Sequence, residues 1–169
     1  MAREYRRVVT GHDSDGKSVV IIDGPPAPSG AFWFTQTAPA DNGTADDTAQ
    51  LVRQLEPPLG GTIFRYAVIP PEDPSISAEE RERTTARLFT QMDATHCRTD
   101  TNRHPGMHKT RTVDYVVLLS GEVTMLLDKG EVNLKPFDVV VQRGTSHAWV
   151  NKGKEPAVLA AVLVDAKPV

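Results

Sequence analysis

The sequence predicts an all-β protein, a sandwich or barrel interrupted by one helix. Three features predict it: β-rich runs between proline clusters in the first 70 residues, one capped helical stretch, and a C-terminal third of short apolar runs separated by turn residues. At 169 residues, with 39% of them hydrophobic, the chain fits a single domain with a substantial core.

Runs rich in Val, Ile, Phe, Trp, Tyr and Thr at 6–10, 18–23, 31–37 and 62–69 suit a pleated surface. Pro25-Pro26, Pro28, Pro57-Pro58, Pro70-Pro71 and Pro74 punctuate them, because proline removes a backbone donor and fixes φ. The small polar residues of 38–50 mark an exposed loop leading into a short helix. Ser77 with Glu80 three residues later makes a capping box, and acidic residues crowd the first turn. A helix is therefore predicted over 78–92, with Ala86, Leu88, Phe89 and Met92 on its buried stripe. Strands follow at 113–120, 123–127, 131–134, 137–142, 147–150 and 157–165. Between them lie Ser120-Gly121, Asp128-Lys129-Gly130, Lys135-Pro136, Arg143-Gly144 and Asn151-Lys152-Gly153. This rhythm argues for a sandwich or barrel. The nearly continuous apolar stretches 115–119 and 139–141 imply burial on both faces, under a second sheet or a partner subunit.

Composition narrows the function classes. Lys and Arg number 19 against 22 Asp and Glu, a net charge of −3, and no basic stripe suggests a nucleic-acid partner. Arg81, Arg83 and Arg87 alternate with Glu79, Glu80 and Glu82, as on a solvated helix face. No apolar run approaches the roughly 18 residues of a membrane helix, and the charged start, Arg3-Glu4 to Arg6-Arg7, is unlike a secretory signal. With Cys97 the single cysteine, intramolecular disulfides and Cys-rich zinc modules are excluded, and a cytoplasmic location is expected.

One motif is rejected on physical grounds. Gly11 to Ser18 matches Gly-x4-Gly-Lys-Ser, the pattern of a phosphate-binding loop, which needs a helix to follow. Here Val19-Val20-Ile21-Ile22 follows instead, a β-branched strand, so the segment reads as a hairpin with an Asp-Gly turn.

The chemistry-bearing residues are the histidines. His96, His104 and His108 cluster just before the strand meander, and His147 lies within it. Neutral imidazole with a carboxylate is a ligand set for Fe, Mn, Ni or Zn. Asp114 follows His108 by six residues, an even separation compatible with one strand face. Each residue also has a plainer reading: a satisfied core or surface histidine, or an Asp114 paired to Lys109 or Arg111. Cys97 reads as an inert loop thiol, with no base expected to act on it.

His108-x-Thr110-x3-Asp114-x6-Gly121 resembles the first motif of the cupin superfamily, His-x-His, three or four spacers, Glu, six spacers, Gly. Asp138-x3-Gln142-x-Gly144-x2-His147-x3-Asn151 resembles the second, Gly-Asp-x4-Pro-x-Gly-x2-His-x3-Asn. The resemblance covers about residues 104–165 and implies a double-stranded β-helix (jelly-roll) barrel with extra N-terminal strands and one short helix. Its parts would be N-terminal strands and loops over 1–76, the helix over 77–95 and the barrel core over 96–169, all one domain.

Carried over residue by residue, the resemblance implies a metal held by His108, Asp114 and His147, the same three serving as catalytic groups. Thr110 replaces the second histidine, Asp114 a glutamate, Phe137 the leading glycine and Gln142 the proline, so the first metal motif is degenerate. Two His and one carboxylate still make a facial-triad composition. Thr110, Tyr115, Trp149 and His104 are expected to line the pocket, with His104 a candidate stand-in for the missing ligand. The resemblance implies a metal-dependent enzyme acting on a small organic molecule in the barrel mouth by dioxygenase, lyase or decarboxylase, or isomerase chemistry. The alternatives are a small-molecule-binding cupin and a metal-free acid/base cupin. A homodimer is also expected from the family's habit.

Overall fold

A computed structural model describes residues 7–167. The predicted first strand begins at Arg6, which lies outside them. Two sheets face each other. The larger has five antiparallel strands in the order β3-β4-β10-β5-β8: β3 Ala31–Thr35, β4 Thr62–Ile69, β10 Ala157–Asp165, β5 Thr112–Ser120 and β8 Val139–Arg143. The smaller runs β7-β6-β9, from Glu131–Leu134, Val123–Leu127 and His147–Val150. A separate hairpin pairs β1, Arg7–His12, with β2, Ser18–Gly24. The rejected phosphate-loop segment is this hairpin and its turn.

Period-2 alternation places Thr112, Asp114, Val116 and Leu118 of β5 inward. Val116 and Leu118 meet Val123, Met125, Leu134, Ala157 and Leu159 in the main core, with Trp149 packed against it. A second cluster, Ala31, Phe34, Val52 and Ile63 among it, closes the N-terminal end. Arg7 ties the hairpin there, donating to the carbonyls of Pro25 and Phe32 and pairing with Asp47. Strand β4 joins the larger sheet by pairing with β10 along eight residues, from Thr62 to Ile69.

Helix α1 spans Ala78–Gln91, with the Ser77 hydroxyl accepting from the Glu80 N–H as the capping box requires. Phe89 is its buried anchor, clustering with Ala94 and Cys97. Leu88 departs from expectation at 51% exposed, because the buried stripe is narrow and Leu88 sits one residue around the helix from Phe89.

Two further expectations are corrected. Tyr115, Val139 and Val141 are 51%, 65% and 54% exposed, so this chain covers only the inner face of β5 and β8. Phe137 is no strand residue: its φ is +75°, in the left-handed region where the related motif carries glycine, and its side chain stands in solvent. Gly121 keeps the glycine its turn demands, at φ +77°, where a Cβ would lie 2.7 Å from the Ala157 Cα.

Candidate functional site

The site begins with a backbone contact. His108 and His147 exchange both N–H···O=C hydrogen bonds, each at 2.9 Å. Directly opposed residues of an antiparallel pair send their side chains to the same face, so the two imidazoles meet with ring centroids 4.3 Å apart. The Phe89 ring lies 5.2 Å from His108 and the Trp149 ring 5.6 Å from His147, both edge-on. Each ring is oriented by its Nδ1, which donates to a carbonyl: Gly106 for His108 at 2.8 Å and Thr145 for His147 at 2.9 Å. That assignment leaves both Nε2 lone pairs without a hydrogen-bond partner among the described residues.

The interior keeps this pair neutral. Burial lowers the His108 pKa below the ordinary histidine value, and burial together with the neighbouring His108 pushes His147 down to about 3. Asp114 moves the opposite way. It is 6% exposed, its Oδ1 has no hydrogen-bond partner, and burial lifts its pKa to about 6, with the Thr112 hydroxyl restraining the rise and the Glu56 charge adding to it.

The remaining expected site residues separate into inside and outside. Buried Thr110 turns its hydroxyl to that of Thr112 at 2.6 Å, so the position of the missing histidine is occupied by a closed hydroxyl pair. Trp149 faces the core beside His147. Tyr115 follows Asp114 on the strand and consequently lies on the outer face, half exposed. His104 has both nitrogens engaged, Nε2 with Glu72 at 2.9 Å and Nδ1 with the Gly106 N–H at 3.0 Å, and offers no free donor to a metal. Gln142 replaces the motif's proline and is buried, donating to Thr145 next to His147. Asn151 serves structure, its amide donating to the carbonyls of Ile69 and Glu155.

Among the described residues, one group of three His, Cys, Asp or Glu brings its donor atoms within 4.8 Å of one another, and it is Glu56, His96 and Cys97 rather than His108, Asp114 and His147. No sequence signal marks Glu56, which lies in an irregular stretch before Pro57 where no periodicity singles it out. His96 Nε2 lies 2.9 Å from Glu56 Oε2 and 3.5 Å from Cys97 Sγ. Burial opposes ionisation of Glu56, but the Arg111 N–H and His96 outweigh it and hold the carboxyl below its usual range. Burial, and then the Glu56 charge, pushes the Cys97 thiol up to about 12. Glu56 and His96 line a cleft of about 310 Å³ that also bears Thr110, Lys109, Arg111 and Arg143.

No family model matches the chain. It is 30% identical to phomopsin biosynthesis cluster protein C' of Diaporthe leptostromiformis, over 99% of this chain and 82% of the relative. It is 26% identical to the cupin-domain-containing oxidoreductase virC of Hypocrea virens, over 99% of this chain and 79% of that protein. The chain belongs to the cupin superfamily. A cupin 2 conserved barrel domain protein from Salinispora arenicola aligns with 62% of this cupin and 64% of its own chain, at a TM-score of 0.40 and 18% identity. Within this cupin, the two motif histidines meet on the barrel's inner side, while the motif carboxylate is not gathered with them.

Proposed function

We propose that this cupin is an enzyme acting on a small organic acid, with His108 and His147 as its metal-binding pair and Asp114 as a proton carrier. The observation that carries the reading is the histidine pair: two facing imidazoles, His147 buried and His108 half-buried, both neutral, both tied through Nδ1 to backbone carbonyls and both with Nε2 atoms that have no partner among the described residues. These properties fit a divalent transition metal, which needs deprotonated imidazole nitrogens held in one orientation. Fe, Mn, Ni and Zn are all compatible with such donors. When bound, the metal supplies Lewis acidity toward a carbonyl or enolate oxygen.

The chain's own residues supply the remainder. Asp114, with a pKa of about 6 and an unpartnered Oδ1, can hold or release a proton near neutral pH. Phe89 and Trp149 flank the pair and restrict water. Lys109, Arg111 and Arg143 line the cleft that bears Glu56 and His96, in whose lining neither His108 nor His147 takes part; their charges support an anionic ligand there, a carboxylate above all, because Arg offers it paired donors. The oxidoreductase name of the Hypocrea virens relative supports oxidation as the first chemistry to assay. A binding-only role draws support from the Thr110–Thr112 hydroxyl pair, which closes the position of a further ligand.

Elemental analysis of the untagged protein, followed by turnover on a panel of small unsaturated carboxylic acids, tests the proposal. The metal held by this pair is expected near one equivalent, and that equivalent is lost in His108→Ala and His147→Ala while circular dichroism stays barrel-like. Full metal content in both variants overturns the ligand assignment. Metal and ligand binding without turnover would leave the binding role instead.

A further inference from the structure

We propose that Glu56, His96 and Cys97 form a second metal site, separate from the histidine pair, for a borderline-soft divalent cation of the zinc type. Three kinds of donor converge there from two parts of the chain: a carboxylate oxygen, an imidazole nitrogen and a sulfur, all within 4.8 Å of one another. The separations of 2.9 Å from His96 Nε2 to Glu56 Oε2 and 3.5 Å to Cys97 Sγ are close to the roughly 3–4 Å between neighbouring donors around a tetrahedral zinc. Sulfur with imidazole selects zinc or its chemical relatives over magnesium and calcium, which demand oxygen.

The donors are held before any ion arrives. Glu56 Oε1, the oxygen turned away from His96, accepts the Arg111 N–H at 2.6 Å and so orients the carboxylate. Cys97 is fixed on both sides of its Cα, its N–H donating to Ala94 O at 3.0 Å and its carbonyl accepting from Lys109 N–H at 2.8 Å. Glu56 and His96 open onto the cleft of about 310 Å³, which leaves room for water or a small anion as a fourth ligand. Lys109 and Arg111 on the same cleft do not forbid the cation, because thiolate and carboxylate together cancel its double charge. On binding, the Cys97 S–H proton passes to solvent and the sulfur lone pair forms the new bond to the metal, with no change of oxidation state. Phe89 packs with Cys97 and also meets the His108 ring, so it touches both clusters.

The test is a cobalt(II) titration of metal-stripped protein, followed by zinc displacement. A thiolate-to-cobalt charge-transfer band in the near ultraviolet is expected, saturating near stoichiometry and erased by zinc. The band should vanish in Cys97→Ala. His96→Gln, whose side chain is 56% exposed and whose fold is therefore safe, should weaken cobalt binding by roughly 10- to 100-fold. Both His108→Ala and His147→Ala should keep the band, so failure of the histidine pair as a metal site leaves this site standing. A folded wild-type protein without the band, a band that persists in Cys97→Ala, or His96→Gln binding as tightly as wild type each overturns the proposal.

Discussion

The two donor clusters of this cupin hold the same imidazole chemistry in opposite surroundings. His147 is buried and His108 half-buried against it, desolvation keeps both neutral, and backbone carbonyls fix both tautomers. His96 stands at the rim, 56% exposed, paired with a carboxylate and beside the only thiol. Burial makes the inner pair poor bases but ready lone-pair donors, whereas the rim cluster carries charge that water and neighbouring cations screen. A histidine's role is thus set by what surrounds it, and the Phe89 ring touches both settings.

Removing that shared contact should have the largest effect. Phe89→Ala removes a 5% exposed ring shared by both clusters and should cost about 3–5 kcal/mol in urea unfolding. It should also admit water to His108 and return its pKa toward 6.5, as followed by NMR titration. A loss below about 1 kcal/mol with an unchanged titration would show that the ring is no seal.

A smaller effect sharpens the interior. Asp114 has its folded pKa raised from 3.8 to about 6, so its contribution to stability is fully present below pH 3.8 and is lost as pH rises through about 6. Relative to Asp114→Asn, the wild type should therefore lose on the order of 3 kcal/mol across that window. Thermal or urea unfolding at both ends measures the gap, and a gap that stays constant with pH would contradict a buried, unpartnered carboxyl. The inner histidines run the other way: with lowered folded values, their contribution is present above pH 6.5 and fades as pH falls toward about 3. The smallest effect belongs to the rim. In the absence of metal, His96→Gln should change stability by no more than about 0.5 kcal/mol, because substitutions of exposed side chains contribute little.

Much of the fold was readable locally. The Ser77–Glu80 box placed α1, and the glycine and proline turns separated the C-terminal strands, because each signal acts within a few residues. The pairing of His108 with His147 was foreshadowed by motif spacing, and its basis is the mutual backbone bridge. Leu88, Phe137 and Tyr115 show where local reading stops. All three are large apolar or aromatic side chains in apolar-looking runs, yet half or more of each is exposed, because neighbouring elements cover only one face of each segment.

Chain-local physics was enough for the all-β class, the single capped helix and the rejection of the phosphate loop, while the two motif histidines came from the family resemblance. Packing decided what each donor became. Asp114 is inward but does not close a three-donor cluster with the histidine pair, His104 is committed to Glu72, and Glu56 reaches His96 across 40 residues of sequence. Spacing along a strand sets which face a side chain takes, but the distance between side chains on different elements depends on sheet register and loop closure, which residues far apart in the chain determine together.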